Sequence, residues 1–229
     1  MIAALLVAIA IAALLPGRIA FFALPPLALL PRFIAHVRAG RHGAAARDAL
    51  VWALALSILT ILVVLVFPER MESRVAHGPA YRDETFRWIE TGVGKEGNIR
   101  EFLPEHLLHL CVLLVLSFAT GGIAALYLGG FLLGYMNFYV ASLIAVSNAP
   151  ALSALVGWPV WSVCRVTGFV LAAVAVARPA YRRFRSAGAD LATGRRFLAA
   201  GLGLAVVDIL LKHFLAETWR GFLRHGLTG

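Results

Sequence analysis

The stretch from residue 106 to residue 150 reads HLLHLCVLLVLSFATGGIAALYLGGFLLGYMNFYVASLIAVSNAP and contains no Asp, Glu, Lys or Arg. A transmembrane helix needs about 20 predominantly apolar residues. These 45 residues are therefore long enough for two membrane spans in succession. The pairs Gly121-Gly122 and Gly129-Gly130 interrupt the apolar pattern, and glycine marks turns. We expect a turn within residues 121–130, which gives spans at about 106–126 and 128–148.

Apolar segments elsewhere in the chain predict four further spans. Three of them lie at about residues 46–67, 157–177 and 197–217. The first lies at about residues 2–24 and is bent near Pro16, because a proline interrupts helical hydrogen bonding. A re-entrant hairpin over residues 2–30 is the alternative. The sequence thus predicts an all-α, polytopic integral membrane bundle of about six transmembrane helices in a single domain.

The overall composition agrees with a membrane protein. Hydrophobic residues make up 61% of the 229 residues and charged residues only 14%, whereas soluble domains contain roughly 25% charged residues. The net charge of +9 would suggest nucleic-acid binding in a soluble protein. In a membrane protein such an excess sets topology, so we predict no nucleic-acid partner.

Loop charges orient the predicted spans. The loop at residues 31–47 contains four arginines and no acid, and the loop at 178–196 contains six arginines and one aspartate. Short loops rich in Lys and Arg remain cytoplasmic, so both are predicted inside. The loop at 68–105 mixes six basic and eight acidic residues and is predicted to be extracytoplasmic. Six spans then place both termini outside, and the bilayer is most simply a bacterial inner membrane.

The predicted outer loop is long enough to contain structure of its own. Its segment Tyr81 to Ile89 has helical spacing and an apolar edge, which would suit a helix lying on the membrane surface. The following TGVGKEG, residues 91–97, formally matches the dinucleotide pattern G-x-G-x-x-G. That pattern binds nucleotides between a strand and a helix. Because no strand precedes it here, we interpret these glycines as a turn.

Charged residues at membrane depth are the first candidates for function, because they are costly there and usually face a bundle interior. Arg165 and Asp208 lie at similar depths, about 12 and 13 Å from the outer ends of their predicted spans. We therefore predict a direct Arg165–Asp208 pair. Lys212 follows Asp208 at i,i+4 and is the alternative partner. The predicted intramembrane polar cluster consists of Arg165, Asp208, Lys212, His213 and Asn137.

Histidines near the outer side are the second group of candidates. His106 and His109 are spaced i,i+3 on one helix face, a usable geometry for two metal ligands, and His77 is a third candidate. Glu105 is the candidate general base. Pro104 and Glu105 also fit an ordinary helix start, with proline in the first turn and an acid at the positive end of the helix dipole.

These features predict a small carrier, a channel-like protein or a subunit of a membrane complex, with an outward-facing polar cavity and no required cofactor. The alternative is an enzyme at the outer face that uses a divalent metal held by His106 and His109. A further alternative is a structural assembly protein whose charges only lock the helices together. Partners would be the lipid bilayer and other proteins. The small residues Gly130 and Gly134 offer a face for a second copy of the chain.

Overall fold

The computed structural model describes residues 1–182 and 191–228, without the side chains of 178–182, 191 and 228. Helices make up 87% of it, and none of the described residues lies in a β-strand. The helices are α1 (Ile2–Leu14), α2 (Ile19–Leu27), α3 (Leu30–Arg38), α4 (His42–Val66), α5 (Pro68–Glu72), α6 (Gly78–Thr91), α7 (Ile99–Thr120), α8 (Ile123–Val146), α9 (Pro150–Val156), α10 (Val160–Arg182) and α11 (Leu191–Thr228). A short 3-10 turn, Lys95–Gly97, separates α6 from α7.

Five of the described helices are long and apolar enough to cross a membrane: α4, α7, α8, α10 and α11. The pair α2 and α3, bent by 47°, brings the count to six if it forms one broken span. Many large apolar side chains on these helices face outward, including Leu54, Val115 and Phe214. Such surfaces suit lipid rather than water. The protein is therefore a helical membrane protein, as the apolar segments predicted.

Helix α10 packs against α3, α4, α7 and α11, and helix α8 packs against α2, α4, α6, α7 and α9. Close approach of α10 and α11 depends on glycine. A Cβ atom at Gly201 would lie 2.7 Å from backbone atoms of Gly168 and Ala172. Gly130 of α8 faces Trp52 and Pro26 of the same chain, so part of the predicted Gly130/Gly134 face is covered within the protomer.

The N-terminal region differs from the predicted single span at residues 2–24. The chain breaks between α1 and α2, where Leu15 is extended and Gly17 is left-handed, and the two helices pack against each other. Arg18 Nε lies 3.3 Å from Ser73 O, which places this break beside the segment that follows α4. Residues 2–38 thus form a hairpin, closer to the alternative considered above.

The boundaries around the charge-free stretch also require correction. The turn between α7 and α8 lies at Gly121-Gly122, at the start of the predicted interval, because both glycines adopt left-handed φ angles of 64° and 90°. Helix α7 begins at Ile99, seven residues earlier than expected, and Asn98 caps it by accepting from Arg100 N at 3.1 Å. Pro104 therefore lies inside the helix and not at its start.

The predicted helix at Tyr81 to Ile89 is confirmed as part of α6, but its position on the membrane surface is not. Helix α6 packs against α8 and α11, and its Trp88 and Ile89 are buried. We refer to residues 78–97, which comprise α6 and the 3-10 turn, as the cap segment.

Side-chain contacts define two ends of the bundle, the α6 end and the α3 end. At the α6 end, Ser147 Oγ donates to Gly226 O at 2.6 Å, which ties the loop after α8 to the last turn of α11. At the α3 end, the rings of His42 and Phe197 lie 5.8 Å apart. The start of α4 and the first half of α11 thus share this end, whereas Arg183, Arg185 and Asp190 of the predicted inner loop at 178–196 lie outside the described residues.

Helix α11 is much longer than the predicted span at 197–217. Its 38 residues correspond to about 57 Å at 1.5 Å per residue. The hydrocarbon core of a bilayer is about 30 Å thick. Helix α11 is therefore longer than a single span requires, and toward its α6 end it contacts the cap segment.

Candidate functional site

A polar cavity lies at the α6 end, between the cap segment and helices α7, α8, α10 and α11. Its volume is about 50 Å³, which is room for a few water molecules. Its lining is mostly polar, and much of it is ionisable: His77, Tyr81, Glu84, Thr85, Trp88, Lys95, Glu96, Phe102, Glu105, His106, His109, Tyr135, Met136, Arg165 and Lys212.

The floor of the polar cavity is an ion pair between α10 and α11. Arg165 donates from Nε and Nη2 to the two carboxylate oxygens of Asp208, at 3.0 and 3.1 Å. This two-point geometry is the strong form of an arginine–carboxylate contact. The side chain of Asp208 is fully buried. The Arg165–Asp208 pair predicted from depth is therefore confirmed.

His106 of α7 joins the same carboxylate. Its Nδ1 lies 3.1 Å from Asp208 Oδ2, a distance at which a protonated Nδ1 donates to a carboxylate. The other ring nitrogen, Nε2, is buried and has no hydrogen-bond partner among the described residues. An imidazole oriented by a carboxylate in this way keeps Nε2 available as a proton or ligand acceptor.

Lys212 does not use Asp208 as its ion-pair partner. Its Nζ lies 2.9 Å from Glu96 Oε2 of the cap segment and 4.5 Å from the centre of the Phe102 ring. The Lys212 side chain is almost fully buried. Burial raises the pKa of Glu96, but the positive charges of Lys212 and Arg165 outweigh it, so the pKa of Glu96 lies below its ordinary value.

Glu96 is the member of the site that the sequence did not reveal. It lies in TGVGKEG, where the glycine spacing indicated a turn but nothing about the direction of the carboxylate. Glu96 lies between glycines and outside the predicted spans, so no helical or strand periodicity indicates which way its side chain points. Only the folding of the cap segment onto α11 brings it beside Lys212.

The mouth of the cavity is crossed by Lys95. Its Nζ lies 3.0 Å from Glu105 Oε2 of α7 and 3.8 Å from Glu84 Oε1 of α6. The hydrogen bond to Glu105 raises the pKa of Lys95 above its ordinary value. Glu105, the predicted general base, is thus an ion-pair partner at the entrance.

The remaining predicted residues divide into those at the site and those away from it. His109 and His77 line the cavity, and the His77 ring lies 5.3 Å from that of Tyr135. His213 is exposed and contacts the ring of Phe214, because one residue rotates a helical position by about 100° away from Lys212. Asn137 is fully buried in the core, where it accepts a hydrogen bond from Trp158 Nε1 at 3.1 Å.

The described part of the chain contains no group of three or more His, Cys, Asp or Glu side chains placed to hold a metal ion. His106 and His109 do line one cavity, but His106 Nδ1 is already beside Asp208. The metal site stays a prediction.

A second, apolar cavity of about 80 Å³ lies below the floor. It shares Met136 and Arg165 with the polar cavity and extends to Phe33 and Gly122 at the α3 end. Met136 and Arg165 therefore lie between a polar chamber and an apolar one.

Comparison with known proteins adds no further assignment. No protein-family model, no curated protein and no solved structure matches this chain.

Proposed function

We propose that the protein is a small membrane carrier that admits a polar solute into the polar cavity from the α6 end. One observation supports this most directly: ionisable side chains from the cap segment, α7, α10 and α11 converge on a cavity of about 50 Å³ inside a membrane bundle. Ionisable residues at such depth mark substrate and ion pathways in membrane proteins.

The apolar cavity supports the same proposal. A carrier exposes one site alternately to the two sides of the membrane, usually by rocking helices around a fixed site. Here Met136 and Arg165 line both cavities, so these two side chains form part of the barrier between the polar cavity and the α3 end. A modest shift of α8 against α10 would connect the two cavities.

The orientation belongs to this proposal as well. The basic loops at 31–47 and 178–196 favour a cytoplasmic α3 end, and so an extracytoplasmic polar cavity. A bacterial inner membrane suits this arrangement, in which the solute would enter from the periplasmic side.

Cysteine accessibility tests the carrier. In a background in which Cys111 and Cys164 are replaced by serine, Met136→Cys is treated with a charged, membrane-impermeant thiol reagent. Right-side-out and inside-out vesicles are compared. A carrier exposes residue 136 to both sides, so both preparations should be labelled. Val93→Cys, in the exposed part of the cap segment, is the control and should react in one orientation only.

Labelling of Met136→Cys from the α6 end alone would contradict alternating access. It would leave a fixed cavity, as expected for an outer-face enzyme or a structural subunit. Absence of labelling from either side would contradict the outward-facing cavity itself.

The metal-dependent enzyme is the second candidate, because His106 and His109 line the cavity beside Glu105. Elemental analysis of the purified native protein tests it. Stoichiometric zinc or another divalent metal that is lost in His106→Ala/His109→Ala would support the enzyme, and metal-free native protein would remove it.

A further inference from the structure

The Lys212–Glu96 contact differs in origin from the other buried contacts of the site. Arg165, Asp208, His106 and Lys212 all belong to helices of the bundle, whereas Glu96 enters from a three-residue turn. That turn ends at Gly97 and follows Gly92, which is left-handed. Lys212 is thus a fixed part of the helix bundle, whereas the carboxylate that pairs with it, that of Glu96, belongs to the cap segment.

Charge balance shows what Glu96 does in the closed cavity. Arg165 neutralises Asp208, and Lys212 neutralises Glu96. If the cap segment moves away to open the cavity, Lys212 is left as a buried, unpaired cation, which is strongly unfavourable. An anion that takes the place of Glu96 restores the balance.

We infer that Lys212 is the binding site for a small monocarboxylate, and that Glu96 occupies this site as an internal substitute when the cavity is closed. The inference rests on the proposed function, because it names the class of solute that the carrier takes. When the cap segment moves away, the carboxylate of the solute would replace that of Glu96 beside Lys212. The binding energy of the solute would then offset the loss of the Lys212–Glu96 contact.

The size and shape of the site select the class of anion. The end of a glutamate side chain is a CH₂–COO⁻ group, so the site already accommodates the equivalent of acetate. The free volume of about 50 Å³ adds room for little more than a few atoms. The Phe102 ring beside Lys212 offers an apolar surface for a short alkyl group and leaves Nζ for the carboxylate. A single lysine suits a monoanion better than a dianion.

Thermal unfolding of the purified full-length protein in detergent tests the site with acetate as the probe. Sodium acetate is titrated against sodium chloride at equal sodium concentration and neutral pH. A ligand that binds the folded state raises the unfolding temperature. In Glu96→Gln the internal competitor is weakened, so acetate should act at about tenfold lower concentration than in the wild type.

Two further variants make this test specific. Lys212→Met should abolish the acetate effect, because it removes the cation. Glu90→Gln, a change of an exposed carboxylate elsewhere in the cap segment, should behave like the wild type. Two results would overturn the inference. One is an acetate-specific rise in unfolding temperature in Lys212→Met, and the other is the absence of such a rise in Glu96→Gln.

Hydrogen exchange provides a measurement that needs no variant. Acetate should increase amide exchange of residues 92–98 in the wild type, because it displaces Glu96, whereas chloride should not. Unchanged exchange at saturating acetate would overturn the inference. The labelling of Met136→Cys does not depend on the identity of the solute. If acetate does not bind, that labelling experiment therefore still tests the carrier proposal.

Discussion

Asp208 holds together three helices through one carboxylate. It accepts two hydrogen bonds from Arg165 of α10 and lies 3.1 Å from His106 Nδ1 of α7. A fully buried carboxylate with this many partners is costly to disturb, since removing one member of a buried ion pair leaves the other uncompensated.

The first prediction concerns this pair. Arg165→Leu and Asp208→Leu should each lower the free energy of unfolding by about 3–5 kcal/mol, because each leaves a buried charge. The double variant should recover most of that loss, since an apolar pair replaces the ion pair. Unfolding in detergent measures all three, with His213→Ala as the exposed control.

Stability effects that simply add in the double variant would show that the two side chains are not coupled. A double variant that is stable and retains solute-dependent behaviour would assign the pair a purely structural role.

The second prediction concerns pH. The pKa of Glu96 is below its ordinary value, so its contact with Lys212 contributes stability that is fully present above the ordinary glutamate pKa. This contribution is lost as pH falls through the depressed value. Exchange of amides 92–98, corrected for the intrinsic pH dependence, should therefore rise in acid. Glu96→Gln should flatten this profile, and an unchanged acid response in that variant would contradict the assignment.

The sequence predicts a contact well where the depth of both residues follows from their distance along a helix. Arg165 and Asp208 were paired because distance along a helix gives depth directly. His213 was grouped with them by proximity in sequence, although its neighbour Lys212 faces inward and it faces outward. Glu96 lay beyond reach, because the fold of the 68–105 segment depends on tertiary contacts that no local pattern specifies.

At the scale of elements, the closest packing in the bundle is between α10 and α11. It depends on Gly201, whose missing side chain lets the backbone of α11 approach Gly168 and Ala172. Gly203, two residues later, is exposed and faces open space. Sequence spacing alone does not distinguish these two glycines, because a helix–helix contact also depends on which helix face turns inward.

The third prediction compares these glycines. Gly201→Ala should destabilise the protein by about 1–3 kcal/mol, because the new methyl group forces two backbones apart. Gly203→Ala should change stability by less than about 1 kcal/mol, and in the favourable direction, because alanine is the better helix former. Unfolding midpoints in one detergent measure both. Equal effects at the two positions would contradict the observed packing.

At the scale of the whole molecule, contacts divide the loops between two ends. The loop after α8, the end of α11 and the cap segment share one end, through Ser147–Gly226 and Arg220–Ile89 contacts. The start of α4 and the first half of α11 share the other, through the contact between the rings of His42 and Phe197. The side of the membrane on which each end lies stays a prediction from loop charge. The sequence leaves residues 2–30 open between a single span and a re-entrant hairpin, because short apolar helices lack the length that identifies a span.

The fourth prediction concerns orientation. In intact bacterial cells that express a cysteine-free background, Ser147→Cys should react with an impermeant thiol reagent. Arg41→Cys, at the α3 end, should react only after the membrane is permeabilised, because arginine-rich loops remain inside. Both positions are part of loops between helices. The reverse pattern would invert the proposed direction of solute entry.

The adjacent residues Lys95 and Glu96 act as a double clasp between α7 and α11. Lys95 binds Glu105 of α7 and Glu96 binds Lys212 of α11, so these helices cannot separate at this end without breaking one ion pair. The two halves differ in strength. The Lys95 pair is nearly half exposed and is weakened by salt, whereas the Glu96 pair is largely shielded from it. Rising ionic strength should therefore weaken the contact of the turn with α7 before it weakens the contact of the turn with α11.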